Sequence, residues 1–356
     1  MVARNDIRSL SQSEIENFFQ ANGQKNFRAR QVYDWLWKKS CRSFDEMTNL
    51  SKEIRSLLEQ HFTFITISTE TVQKSDDGTM KSTFLLHDGL RIEGVLIPSD
   101  GRTTACISSQ AGCPFACAFC ATGQLGFKRN LAFTEIFDQV ALLQEQSLQF
   151  FGNPLSNIVY MGMGEPLLNY ENVTASIEKI TDPEGMGMSP QRITVSSVGI
   201  PEKIMKMAGD NPRYHFALSL HVAQNEKRDK IIPVNKKYPV KDLIKALKHY
   251  HKVTGKRITI EYVLFRGVND SLADAADLAV FCKNFPVKIN LIEYNPVENT
   301  GFYPSDSRTM KGFQEFLEQK NLVVNLRRSR GTDIAAACGQ LAGKHTSTKN
   351  NEQTDI

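Results

Sequence analysis

RTTACISSQAGCPFACAFC, residues 102–120, is the stretch on which the reading of this chain turns. Its first half, with Thr103, Thr104 and Ile107, reads as a strand. Its second half sets three cysteines, Cys113, Cys117 and Cys120, in a C-x3-C-x2-C loop directly after that strand. Downstream, strand-like runs recur: NIVYMGMGE (157–165), RITVSSVG (192–199), HFALSLH (215–221), RITIEYVLF (257–265), VKINLIEYN (287–295) and LVVNLRRS (322–329). Between most of them lie helical stretches such as TEIFDQVALLQEQ, YENVTASIEKI, VKDLIKALKHYHKVTG and RTMKGFQEFLEQK. Strand and helix alternating at this spacing predict a parallel sheet with right-handed crossovers, and six or so units predict closure into a full or partial β/α barrel.

The cysteine spacing carries a chemistry of its own. Three neighbouring thiolates can hold three irons of a [4Fe–4S] cube and leave the fourth iron without a protein ligand. Such an iron can chelate the amino and carboxylate groups of S-adenosylmethionine (SAM), and an electron passed into the sulfonium then cleaves a C–S bond. A structural zinc site takes four protein ligands, and no fourth Cys or His stands next to these three. The chain has seven cysteines in all, an odd number concentrated in one loop, which fits a metal or cluster site better than a disulfide framework.

These segments resemble the radical SAM superfamily, and within it the adenine-C2 RNA methyltransferases that act on 23S rRNA and tRNA. The resemblance runs from about Phe27 to Gly343 and rests on CISSQAGCPFACAFCATGQLGFKRNL, MGMGEPLLN, SLHVAQNEKRDKIIPVNKKYP, INLIEYNP and RGTDIAAACGQLAGK taken together. It implies an α/β fold: a partial (β/α)6-type radical SAM barrel with a small N-terminal α+β accessory domain. It implies one [4Fe–4S] cluster on Cys113, Cys117 and Cys120, SAM as cofactor, and a flavodoxin-type electron donor. The substrates it implies are adenosine 2503 of 23S rRNA and adenosine 37 of tRNAs. RIEG (91–94) and VSSVG (195–199) depart from the threonine-containing form expected in the family, which leaves the contacts around the site open.

In a β/α barrel the site residues gather at the C-terminal ends of the strands. Gly164 and Glu165, Ser196, Ser219-Leu220-His221, and Asn295 all fall there, and the resemblance makes them the SAM-binding residues. Read alone, the serines and the asparagine are equally good capping or turn residues.

Adenine C2 is electron-poor and cannot attack a SAM methyl directly, so a covalent carrier is required. The resemblance makes Cys338, in the small-residue segment AAACGQLAG (335–343), that carrier. One SAM would methylate Cys338. A second SAM would yield the 5′-deoxyadenosyl radical that takes hydrogen from the S-methyl group, and the methylene radical would add to C2. Cys106 would then attack Cys338 to release the methylated RNA, leaving a transient Cys106–Cys338 disulfide. Glu93 matches the family's proton acceptor; whether Glu93 or Cys106 removes the C2 proton stays open. Cys41 and Cys282 match no functional position and are expected on helices.

Three segments are expected: an accessory domain over 1–95, the barrel over 96–343, and a polar tail, 344–356, expected to be disordered. The first of these begins with short helices, Ser11 and Glu14 forming a capping box and Val32, Trp35 and Leu36 an apolar stripe. It ends in a small antiparallel sheet with DDG and HDG turns. The 356 residues carry 43 Lys and Arg against 39 Asp and Glu, a net charge of +4. Cations cluster in residues 22–42 and again at Arg327, Arg328 and Arg330, which suits RNA phosphates as well as a solvated basic edge. No run approaches the roughly 20 apolar residues of a membrane helix, and the N-terminus lacks a secretory core; a cytoplasmic monomer is expected, its target base extruded into the barrel mouth.

Three rivals remain at this level. A C8-methylating antibiotic-resistance relative would share the machinery and yield 8-methyladenosine. A non-catalytic RNA-binding iron–sulfur protein would cleave no SAM. A redox dithiol protein using Cys106 and Cys338 would purify without iron.

Overall fold

The computed structural model describes residues 4–343, so the tail expected at 344–356 lies outside the described residues. Ten strands form one sheet: β1 (Ser68–Lys74), β2 (Met80–Leu85), β3 (Arg91–Ser99), β4 (Arg102–Cys106), β5 (Asn157–Tyr160), β6 (Ile193–Ser197), β7 (His215–Ser219), β8 (Ile258–Leu264), β9 (Val287–Glu293) and β10 (Val324–Arg327). Every strand lies beside its neighbour in sequence. From β1 to β4 the pairing is antiparallel; from β4 to β10 it is parallel. β4 and β10 do not pair, so the parallel part is the partial barrel expected, not a closed one.

The parallel strands are apolar because helices cover one face and the barrel interior the other; all seven residues of β8 are buried. The covering helices follow the expected stripes. Val240–Thr254 buries Val240, Leu243, Ala246, Leu247 and Tyr250, one face at helical spacing, and stops at Gly255 in the left-handed conformation. None of the helices is long and apolar enough to cross a membrane, among the described residues.

The small antiparallel sheet is continuous with the parallel one. β3 runs through residues 95 and 96, and Val95 pairs with Cys106 of β4. Ahead of the sheet, helices Gln12–Ala21, Phe27–Tyr33 and Lys52–His61 form the N-terminal segment, and the first is closed by the Ser11/Glu14 capping box. A π-helical turn, Asp34–Lys38, continues the second and turns Trp37 fully inward. Trp37 meets Phe137 of helix Phe133–Phe151 edge-on, with ring centroids 5.1 Å apart. Buried Arg8 bridges Asp6 at 3.0 Å and Asp138 of the same helix at 2.6 Å, fixing the N-terminal segment to the barrel.

Two local expectations need correction. The first strand ends at Cys106, not Gln110, because the chain turns aside into a second short strand, Gln110–Gly112, which pairs with Phe127–Asn130. Cys41 is buried in a loop, its N–H donating to Trp35 O, while Cys282 is the last residue of helix Leu272–Cys282, as expected.

Candidate active site

The cysteine loop hangs from the small hairpin made by Gln110–Gly112 and Phe127–Asn130. Gly112 has φ +78, and a Cβ there would lie 1.9 Å from Gly126 O, so only glycine lets the two strands approach and launch the loop. Within the loop Ala116 takes the left-handed conformation, φ +48, Cys120 N–H donates to Cys117 O at 3.1 Å, and Ala118 N–H donates to Ile231 O at 2.9 Å. Burial pushes the Cys113 thiol up to about 12 and raises those of Cys117 and Cys120 as well. Three half-buried thiols so reluctant to ionise call for a cation that makes thiolates worthwhile. A structural zinc takes four protein ligands, whereas three thiols match three irons of a cube and leave its fourth iron open.

A cavity of about 580 Å³ opens beside this loop at the C-terminal ends of the parallel strands. Its lining joins Cys113, Cys117 and Cys120 to Gly164, Glu165, Ser196, Ser219, His221 and Asn295, and also to Cys106, Arg327 and Cys338. Gly164 has φ +99 and no room for a Cβ, which would lie 2.5 Å from Gln110 Cβ. Gln110 Oε1 accepts the Glu165 N–H at 2.8 Å. The Glu165 carboxylate accepts N–H bonds from Leu167 at 3.0 Å and Val198 at 2.9 Å. Burial outweighs those bonds and pushes it up to about 7, so a cationic ligand nearby would favour its charged form. Ser196 Oγ and Ser219 Oγ are 3.0 Å apart across β6 and β7.

His221 adopts φ +56, and its Nδ1 accepts the Val263 N–H at 3.1 Å, which leaves the proton on Nε2. Burial, then the charge of Arg228, holds its pKa down at about 3, so the ring is neutral. Leu220 stands apart: its side chain is wholly buried in the core, outside the lining, and its N–H donates to Glu261 O. Asn295 lines the cavity with its Nδ2 3.4 Å from Glu293 O.

Cys338 is exposed toward the cavity, and Cys106 faces it from the end of β4; both are free thiols. Burial first, then the neighbouring Cys338, pushes Cys106 up to about 12. Glu93 is buried behind the Cys338 segment rather than in the lining: its Oε2 accepts the Ala342 N–H at 2.8 Å, and Lys81 Nζ stands 3.5 Å from Oε1. Lys81 also donates to Ala335 O at 3.4 Å.

The other end of that segment is gripped by the β1–β2 turn. Asp77 Oδ2 accepts the Gly331 N–H at 2.9 Å, and Ser75 Oγ donates to Asp333 Oδ1 at 2.6 Å. Partial burial raises the Asp77 carboxyl, but bonds from Thr79, Gly331 and Ser75 bring it down to about 2. The grip is thus complete above the ordinary value of about 3.9 and is lost only as pH falls toward about 2. Asp77→Ala should speed amide hydrogen exchange at Gly331 by roughly five- to tenfold, the ~1 kcal/mol of one hydrogen bond, with cluster absorbance unchanged; mass spectrometry of exchange would read it.

Sequence reasoning missed several residues here. Glu261 lines the cavity, with Oε1 accepting from Asn290 at 2.8 Å and Oε2 3.8 Å from Arg327 Nη1. Arg228 is buried behind the strand ends, and Gln110 and Lys81 brace the site from below. The alternation of RITIEYVLF is the only signal that could have placed Glu261, since it puts that side chain on the same face as Val263.

Known proteins resemble this chain over nearly its whole length. Residues 5–64 match the ribosomal RNA large subunit methyltransferase N-terminal domain, and residues 107–279 match the radical SAM superfamily. A Christiangramia forsetii protein named probable dual-specificity RNA methyltransferase RlmN is 50% identical, over 96% of this chain and 97% of its own. A Cytophaga hutchinsonii protein of the same name is 51% identical, over 95% and 93%. The crystal structure of a radical SAM methyltransferase from Sphaerobacter thermophilus superposes with a TM-score of 0.91 at 37% identity, over 96% of this chain and all of that one. With the cysteine loop, the strand-end cavity and this full-length likeness in agreement, the chain belongs to the RlmN family of radical SAM RNA methyltransferases.

Proposed function

We propose that the protein methylates C2 of an adenine in 23S rRNA and in tRNA, with Cys338 as the covalent methyl carrier. The observation that carries this reading is that one cavity holds the cluster cysteines, the strand-end polar groups and two free thiols. Cys113, Cys117 and Cys120 hold a [4Fe–4S] cluster that, when bound, supplies the electron for reductive cleavage of SAM. Gly164, Glu165, Ser196, Ser219, His221 and Asn295 surround SAM, Glu165 accepting from its ammonium group and Leu220 contributing backbone only.

The chain's own groups do the rest. The Cys338 sulfur takes a methyl group from one SAM, forming an S–C bond as S-adenosylhomocysteine leaves. The small residues around it let the methylated side chain face both a second SAM and the incoming base. Cys106 faces the cavity, whereas Glu93, beside Lys81, stands behind the carrier segment; these two are the candidates to take the C2 proton. Once the methylene carbon of Cys338 is joined to C2 and the C2 proton is gone, attack of Cys106 on the Cys338 sulfur breaks the S–CH2 bond; the carbon left on C2 takes up a proton to become methyl, and a disulfide is left for a two-electron reductant to open. Arg327, Arg328 and Arg330 at the rim offer charge to RNA phosphates, and the helical segment over 5–64 supplies further contact.

Anaerobic reconstitution followed by assay on a 23S rRNA fragment and a tRNA tests this. Mass spectrometry should find 2-methyladenosine in both RNAs, with two SAM consumed per methyl transferred. Formation of 8-methyladenosine, or no SAM cleavage by reduced enzyme, overturns it.

A further inference from the structure

Arg228 lies in the short helix Asn225–Ile231 and is 0% exposed. A buried guanidinium needs a counter-charge or it destabilises the fold that holds it. No carboxylate touches this one, among the described residues. Its Nε donates to Leu220 O at 3.1 Å, its Nη2 to Val198 O at 2.7 Å and Ser219 O at 3.5 Å, and its Nη1 to Asn235 Oδ1 at 2.8 Å. These partners are all neutral. Asp229, next in the chain, attracts the guanidinium without bonding it: its Oδ1 accepts from Asn235 Nδ2 at 2.7 Å instead. Carbonyl groups satisfy the donors but leave the charge in place.

The cysteine loop rests on this same helix, through the bond from Ala118 N–H to Ile231 O. Cys117 packs against the apolar cluster that holds Ile231 of this helix and Val198, whose carbonyl Arg228 grips. A guanidinium keeps its charge at neutral pH, so Arg228 is a permanent cation, fixed on four backbone and amide oxygens behind the middle cysteine of the loop.

We propose that Arg228 is the electrostatic partner of the iron–sulfur cluster, a positioning residue that makes the cluster easier to reduce and ties its charge to the strand ends where SAM binds. The inference rests on the cluster assignment of the proposed function and goes beyond it. One electron from a flavodoxin or from dithionite adds one unit of negative charge to a cluster already made anionic by three thiolates. A fixed cation in a water-poor site stabilises the more negative state more strongly, so the midpoint potential rises. The same guanidinium grips the carbonyls of Val198, Ser219 and Leu220, so cluster and SAM floor share one brace.

EPR-monitored redox titration of reconstituted protein without SAM tests this, alongside iron analysis and circular dichroism. R228Q keeps hydrogen bonding to carbonyls and removes the charge; R228K keeps the charge. The reduced-to-oxidised ratio at a fixed potential should fall about tenfold in R228Q, which is 59 mV for a one-electron couple, and stay within about twofold of wild type in R228K. A folded R228Q that takes up no cluster while R228K does supports the same reading. An R228Q midpoint equal to wild type overturns it, as does failure of both variants to load, which would make Arg228 a mechanical brace alone. A wild type that forms no iron–sulfur chromophore overturns the cluster assignment itself, a result distinct from either.

Discussion

Cys338→Ala is expected to lower RNA methylation by on the order of 10³-fold or more while the iron–sulfur chromophore remains. The thiol is exposed toward the cavity, and other groups fix the backbone of its segment. Ala121 N–H donates to Gly339 O at 2.7 Å, Thr122 Oγ1 donates to Leu341 O at 2.6 Å, and Glu93 accepts from Ala342. Removing one exposed sulfur leaves these bonds untouched, so the variant should fold and load its cluster. It should still cleave SAM when reduced. The checks are 2-methyladenosine by mass spectrometry, iron content and visible absorbance. Methylation above a tenth of wild type would remove Cys338 from the carrier role; loss of iron would mean that Cys338 is a ligand and that one of the three loop cysteines is not.

Cys117→Ala should have an equally large effect by another route. Cys117 is the middle of the three, next to the left-handed Ala116 and to Ala118, which bonds Ile231. Losing its thiolate leaves two ligands for the cube, and iron content should drop at least about tenfold, with SAM cleavage below detection. Stability of the metal-free chain should change little, by about 1–2 kcal/mol, because a small half-buried thiol is removed. Retained iron with retained SAM cleavage would refute the ligand set. The two variants separate the roles: one keeps the cluster and loses the transfer, the other loses both.

The strand order and the cysteine loop were legible because both are local. Short apolar runs set between helical stretches mark β5 to β10, and the C-x3-C-x2-C spacing needs no tertiary context. What was not legible depends on partners far along the chain. Nothing in RTTACISSQ says that its end will detour into a hairpin with residues 127–130. The DDG turn read correctly as a turn, but not as the grip on a segment more than 250 residues away. Arg228 in NEKRDK looks like one more surface cation, and only the folded chain shows it sealed from water. Leu220 belongs to the matched triplet, yet just past the end of β7 its side chain lies in the core. In each case the deciding term is burial or charge supplied by a distant element, which local periodicity does not encode.

The consecutive order of the ten strands has a bearing on how the protein is born. Since each strand meets the one made just before it, the sheet can lengthen as the polypeptide leaves the ribosome, without waiting for a remote partner. The exception is the reactive segment near Cys338, which is translated late yet seats on Ser75 and Asp77, among the earliest strands to emerge. The nucleophile is thus made after every strand of the barrel, and its place depends on residues made near the start.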